Sequence, residues 1–273
     1  LHMSDSPQPA GYIRKTTDRA AFTEEALRLY RTVIERAKRV LVKPNVVSHE
    51  ESPTTTHPDV LRAVLGFLEG KDFKVAESCA VDLLRTHRTL TQHKLNHVCE
   101  KFGAEIIDLH QTPHSTYKSS QVNMGVDMSK TPFNFDLILS LPVLKAHPVC
   151  TMTGALKNQF GFTTKAERIK MHSGLKNIHK AIAEINLLRP PGVIIMDVVD
   201  TLIGANEVRH GGKKAHLGYM LAGTDPVALD ARGFELLAQV DTGLWGKRPA
   251  DVKHLAFAAQ YGVGNRKGKI KEI

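Results

Sequence analysis

Short runs that are apolar at nearly every position alternate with stretches of helical period along this chain, and that alternation constrains the fold more than any other feature. Val40–Leu41–Val42, Phe73–Val75, Glu105–Ile106–Ile107, Asp136–Leu141 and Val193–Met196 are strand-length, and strands this continuously apolar must be covered on both faces. Between them lie helical patterns. Residues 21–38 carry Phe22, Ala26, Leu29, Val33 and Ala37 at helical spacing. A second helix is predicted from Thr54–Asp59, with Thr56 as N-cap and Pro58 in the first turn, through Val60, Leu61, Val64 and Leu68 to Gly70. Further helices are predicted near 89–102, 173–188, 225–237 and 250–261, a short strand at Tyr219–Ala222, and a polar hairpin within 111–134. The pattern predicts an α/β fold: a mainly parallel, Rossmann-like layered sheet with helices on both faces, with room for two α/β lobes.

At 273 residues the chain can bury a sizeable core. One α/β domain is expected over 13–262. Residues 1–12 read as a tag and disordered N-terminus, with Leu1–His2–Met3 a cloning remnant and 4–11 polar and proline-rich, and 263–273 read as a basic tail. A net charge of +9 suits nucleic acid, an acidic membrane surface or a small anion. With 6% aromatic residues and no nucleic-acid motif, nucleic acid is the least favoured of these. No apolar run approaches the roughly 18–20 residues that span a bilayer, and the first residues lack the layout of a signal peptide, so no membrane association and a cytoplasmic location are expected. Cys79, Cys99 and Cys150 are far apart, without CxxC spacing. They imply a reduced compartment and no intrinsic iron–sulfur cluster or zinc ribbon. A homodimer is expected only on general frequency.

In open parallel sheets, ligands bind beyond the carboxyl ends of the strands. Strand 40–42 runs into Lys43–Pro44–Asn45, strand 73–76 into Glu77, strand 136–141 into Lys145 and His147, and strand 193–196 into Asp197 and Asp200. Chemistry-bearing residues therefore collect at one sheet edge. Lys43, its backbone restrained by Pro44, could pair with a phosphate or carboxylate, or simply snorkel from the strand end. Asn45 at the same strand end is a substrate-binding candidate; Thr54, Thr55 and Thr56 could cradle an anion at a helix N-terminus, where ordinary capping is the alternative, and His57 could face a ligand or solvent. The segment 144–161 is the densest polar constellation. Lys145 and Lys157 could serve as bases or nucleophiles and His147 and His172 as proton carriers, with Thr153 and Asn158 binding substrate. His147, His172 and Asp197 are candidate metal ligands, although their spacing specifies no metal. Asp225 and Asp230 suit structural roles, and no GxGxxG follows the first strand.

The succession KPN, TTHP, LPVLKAH, TGALKNQFG, MH and GTDPVALD resembles the DUF362 family of uncharacterised proteins from about residue 39 to about 235. Many members of that family carry a ferredoxin-like domain that this sequence lacks, so a redox role would need a ferredoxin-like partner. The family is distantly similar to the nickel-pincer lactate racemase family, in which histidines and a lysine line a cleft between α/β domains. That similarity implies Lys145, His147, Lys157 and His172 as the catalytic or cofactor-facing set. Family members commonly show Asp-Gly at the position of Asp197; here the text is DVVDTLIGANEVRHGG, which leaves the role of the 197–212 loop open.

Together these readings predict an enzyme that binds a small anionic substrate, a carboxylate or phosphate, at the C-terminal edge of the sheet and moves protons with lysine and histidine. The alternative is a non-catalytic binding or redox accessory protein for an iron–sulfur or flavin partner.

Overall fold

Successive side chains of a strand point to opposite faces, and in the computed structural model each apolar run feeds two separate cores. The structure describes residues 9–83 and 85–273; the expected cloning remnant and most of the expected loose N-terminus lie outside the described residues. The chain runs β1 (Gly11–Lys15), α1 (Arg19–Leu29), α2 (Arg31–Arg36), β2 (Arg39–Pro44), α3 (Pro58–Phe67), β3 (Asp72–Glu77), α4 (Thr86–Thr91), α5 (Lys94–Glu100) and β4 (Ile106–Asp108). It continues through β5 (His114–Tyr117), β6 (Val126–Ser129), β7 (Leu137–Leu141), β8 (Lys145–His147), β9 (Thr151–Thr153), α6 (Ala155–Asn158), α7 (Lys165–His172) and α8 (Ile178–Leu188). It closes with β10 (Val193–Ile203), β11 (Lys213–Gly223), α9 (Pro226–Leu237), α10 (Lys253–Gln260) and β12 (Ile270–Glu272).

Eight strands form one sheet in the order β12-β1-β11-β10-β7-β2-β3-β4. Among the described strands of this sheet, β11 is antiparallel to both neighbours, β1 and β10, and every other pairing is parallel. Val40 and Val42, Leu137 and Leu139, and Val193 and Ile195 pack on one face beneath α1, α3 and α5. Leu41, Ile138, Ile194 and Met196 pack on the other beneath α6, α8, α9 and α10. This is the mixed α/β architecture expected from the apolar runs, with helices on both faces. β5 and β6 form the antiparallel hairpin expected within 111–134. No helix among the described residues is long and apolar enough to cross a membrane.

Local boundaries differ where polar side chains intervene. The N-cap of α3 is His57, whose side chain accepts from Asp59 N, because the hydroxyl of Thr56 is committed to Leu141 O and to the N–H of Asn45. The helix expected from 173 starts at Ile178: Gly174, at φ 81°, follows the end of α7, and Asn177 caps α8 through His179 N and Lys180 N. The expected 89–102 helix is two helices, because His93 caps α5. Strand β11 is longer than Tyr219–Ala222, since its first half is polar and lies at the open end of the sheet. The sheet also extends beyond the expected 13–262 limits. β1 begins at Gly11, and the expected basic tail contributes β12, which pairs with β1 while Lys269 and Lys271 stay exposed.

Candidate active site

Past the end of β7, the chain is held beside β10 by Asp197 N to Pro142 O and Leu144 N to Asp197 O, both 3.0 Å. It then turns into the β8–β9 hairpin, which pairs Lys145 with Thr153 and His147 with Thr151. Thr151 takes φ 70°, a conformation costly for a β-branched residue and a mark of strain at the hairpin turn. α6 follows at once. Its Ala155 and Leu156 N–H groups donate to the buried carboxylate of Asp230 on α9, at 2.6 and 3.0 Å. Gly154 is required here, because a Cβ would lie 2.3 Å from Asp230 Oδ1. Asn158 ties α6 to the sheet, donating to Lys43 O and to Ser140 Oγ. The TGALKN segment is thus a rigid bracket that carries Lys157.

Hairpin and bracket enclose a cavity of about 280 Å³ at the carboxyl edge of the sheet. Lys145, His147, Thr153, Lys157, Asn158 and His172 all line it, so the expected catalytic set comes together. Asn45 lines it too.

The four candidate catalytic groups differ in electrostatic state. Lys145 is fully buried, and its Nζ donates to Asn45 Oδ1 (3.0 Å) and Thr54 O (2.5 Å) with no carboxylate partner among the described residues. Burial pushes it down to about 7; the Lys157 charge adds to this and Glu207 opposes it. Lys157 is partly buried and has no hydrogen-bond or ion-pair partner among the described residues; its Nζ lies 4.8 Å from the Phe160 ring centroid. Burial lowers its pKa as well. His147 Nδ1 accepts from the N–H groups of Val149 and Cys150, both 3.1 Å, so the neutral ring carries its proton on Nε2. Burial, then Lys157, holds it well below the usual imidazole range. His172, exposed at the rim, has the opposite sense: Nδ1 meets Arg168 O at 2.8 Å and donates to it, which leaves the Nε2 lone pair.

Other expected residues are placed behind the wall. Lys43 is fully buried and ion-paired to Glu77 at 2.5 Å, so its charge is neutralised inside the protein. Glu77 also accepts from Val46 N and Ser78 N. Thr54, Thr55 and Thr56 form no anion cradle. Their hydroxyls donate to Glu50 Oε2, Glu50 O and Leu141 O, and Thr54 serves the site through its carbonyl. His57 faces a separate depression with Asp200. Asp197 is taken by Arg19 (2.7 Å) and Val199 N and does not line the cavity with His147 and His172. Among the described residues no group of three or more His, Cys, Asp or Glu side chains is placed to hold a metal. A metal here would need most of its ligands from a bound organic group.

Arg168, Glu207, Asp82 and His210 line the cavity without having been singled out in the sequence. Arg168 is buried, and its guanidinium reaches Thr163 Oγ1, Ser78 O, Cys79 O, Ser78 Oγ and Gly161 O. These acceptors occupy its donors, so it braces the wall and adds positive potential without gripping a ligand. Its helix was not among those expected from the sequence, although Thr164 accepts from Glu167 N, a Thr-x-x-Glu start signal that could have marked it and that places Arg168 and His172 one turn apart. Glu207 and His210 come from the 204–212 connection between β10 and β11; residues 197–203 of the expected loop continue strand β10, held by pairing with β11. The connection is anchored by Glu50, which accepts from Val208 N (2.8 Å) and Arg209 N (2.7 Å), and by Arg209 paired to Glu207 and Asp82. No local pattern signals these contacts, because Glu50 and Val208 meet only in the folded chain.

Comparison with known proteins decides the family. A family described as "Domain of unknown function (DUF362)" matches residues 40–235. The chain belongs to that family. No curated protein matches it. Among solved structures, the DUF362 chain is similar to the lactate racemase apoprotein from Thermoanaerobacterium thermosaccharolyticum, at 13% identity and TM-score 0.52. That match covers 83% of this chain and 58% of the racemase, less than two thirds of its length, and shows a shared fold. A Thermotoga maritima protein matches at 12% identity and TM-score 0.40, covering 81% of this chain and 59% of the other.

Proposed function

We propose that the DUF362 cavity binds a small carboxylate or phosphate and transfers a proton on it. The observation that carries this reading is the pairing of two imidazoles of opposite hydrogen-bonding sense with an ammonium that has no partner among the described residues. The ammonium of Lys157 holds the anion. The Nε2–H of His147 donates to developing negative charge on the substrate, and the Nε2 lone pair of His172 accepts a proton. Lys145, near neutrality, is a second base. The fold shared with a lactate racemase apoprotein makes the C–H bond next to a carboxylate the first proton to test. A nickel-bearing organic group of the kind used by the similar racemase family would have to bring most of its own ligands, because among the described residues no group of three or more His, Cys, Asp or Glu side chains is placed for a metal; were it bound, Nε2 of His172 would hold it instead of accepting the proton. Such a group would supply a Lewis acid or electron sink beside the substrate.

The test is proton exchange in D2O. Small 2-substituted carboxylates are incubated with the protein as purified, and deuterium at C2 is read by NMR. Exchange is expected with wild type and is lost in Lys157→Ala and His147→Ala. No exchange with any carboxylate, together with no thermal shift from millimolar carboxylate or phosphate, would overturn the reading.

A further inference from the structure

Lys145 is an unusual buried lysine. Lysines taken out of water normally meet a carboxylate, as Lys43 meets Glu77 in the same wall. Among the described residues Lys145 meets only neutral oxygens, Asn45 Oδ1 and Thr54 O, although its side chain is 0% exposed. An ammonium in that place has three N–H donors and two internal acceptors. A neutral amine has two N–H donors, both satisfied, and a lone pair left in the third tetrahedral direction. The fixed acceptors therefore suit the amine, and the residue forms part of the cavity wall. The neighbouring cation, Lys157, disfavours a second positive charge on Lys145. Desolvation next to another cation is the arrangement that makes a lysine nucleophilic toward carbonyl carbon.

We propose that Lys145 forms a Schiff base with a small 2-oxo carboxylate whose carboxylate rests on Lys157. The inference rests on the anion-binding reading above and adds the substrate's carbonyl group and a covalent step. The lone pair of Nζ attacks the carbonyl carbon, forming a C–N bond, and the C=O pair moves onto oxygen, where the Nε2–H of His147 hydrogen-bonds to it. The two protons shed by nitrogen pass to that oxygen, the C–O bond breaks, and the oxygen leaves as water. The product is a C=N bond, with no net oxidation or reduction. A cavity of about 280 Å³ admits a three- to five-carbon oxo acid. The buried position of Nζ keeps bulk water from the C=N bond.

Pyruvate and sodium cyanoborohydride test this on the full chain. The reagent delivers hydride to the C=N carbon and leaves a stable secondary amine, mapped by peptide mass spectrometry. The expected result is one adduct per chain, on Lys145, formed more than about ten-fold faster than on any surface lysine, because near pH 7 ordinary lysines are almost wholly protonated. Acetate should slow trapping by competing for Lys157, and Lys145→Met should abolish it; the mapping in wild type stands whether or not that variant folds. Pyruvate that protects thermally without trapping overturns the Schiff base and leaves the anion site standing. An adduct on another lysine overturns the assignment to Lys145. Neither trapping nor a thermal shift from pyruvate or acetate overturns both the covalent step and the anion-binding reading.

Discussion

Replacing Glu77 by glutamine tests whether the wall of the site is electrostatic or merely packed. The carboxylate receives Lys43 Nζ at 2.5 Å, Ser78 N at 2.7 Å and Val46 N at 3.1 Å, all away from solvent. The first and third of these share Oε2. A glutamine can present its oxygen to only one side. Either Ser78 N keeps an acceptor while the amide NH2 faces the Lys43 ammonium and Val46 N–H, or the reverse. Lys43 must then stay charged without a counter-charge or give up its proton. Breaking a buried pair by removing one partner costs on the order of 3–5 kcal/mol, and the donor-to-donor contact points to the upper half of that range. For a chain of 273 residues, that corresponds to a fall in Tm of about 5–9 °C. Gly161 leaves no slack, since even a Cβ there would lie 2.5 Å from Glu77 Oε1 and 2.7 Å from Lys43 Nζ. The assay is urea unfolding followed by circular dichroism for wild type, Glu77→Gln, Lys43→Met and the double variant. The double variant should lose about 2 kcal/mol less than the sum of the singles, the coupling expected of contacting charges. A single-variant loss below about 1 kcal/mol, or strict additivity, would refute the argument that this pair holds strands β2 and β3 together by charge.

Three further outcomes are expected. Asp230 is pushed up to about 7 by burial, against two backbone N–H groups that favour its charged form. A carboxyl raised above its unfolded value near 3.9 binds its proton more tightly when folded, so its stabilisation is complete below about pH 4 and fades as pH rises through 7. Asp230→Asn should therefore gain stability relative to wild type between pH 4 and 8, and denaturation curves that stay parallel over that range would contradict the burial argument. Gly161→Ala should cost about 1–3 kcal/mol by overpacking the Lys43–Glu77 pair, read as a thermal shift; a neutral result would mean that the α6–α7 connection can move away from β3. Nitrogen-15 NMR of His147 should show an unprotonated Nδ1 and a protonated Nε2 through pH 6.5, where an ordinary imidazole is half protonated, because burial and then Lys157 hold its pKa well below that value. An imidazolium at pH 6 would remove the hydrogen-bond sense assigned to it.

The apolar runs at 40–42, 136–141 and 193–196 could only be strands covered on both faces, so the layered sheet was legible without coordinates. The same reasoning placed Lys145 and His147 at one edge, since a strand's end is readable from where its apolar run stops, whereas Lys157 and His172 were singled out by the dense polar segment and the family resemblance. Strands β1 and β12 left no such mark. They are short, and their pairing joins residues more than 250 positions apart, a contact no local pattern records. The division of labour among the cations was equally hidden. Lys43, Lys145 and Lys157 look alike as letters, yet one is paired, one sits on neutral acceptors and one has no partner among the described residues.

The sequence by itself determined the periodicities, and with them the strands, the helices and the edge at which the polar residues gather, because those depend on neighbours one to four positions away. The tertiary structure decided which charge meets which. Glu77 on β3 neutralises Lys43 on β2, Thr54 O receives Lys145 across 91 positions, and Glu50 fastens a loop 158 positions on. The state of a buried ionisable group depends on desolvation and on charges within a few ångströms, and those distances exist only once the chain has closed on itself.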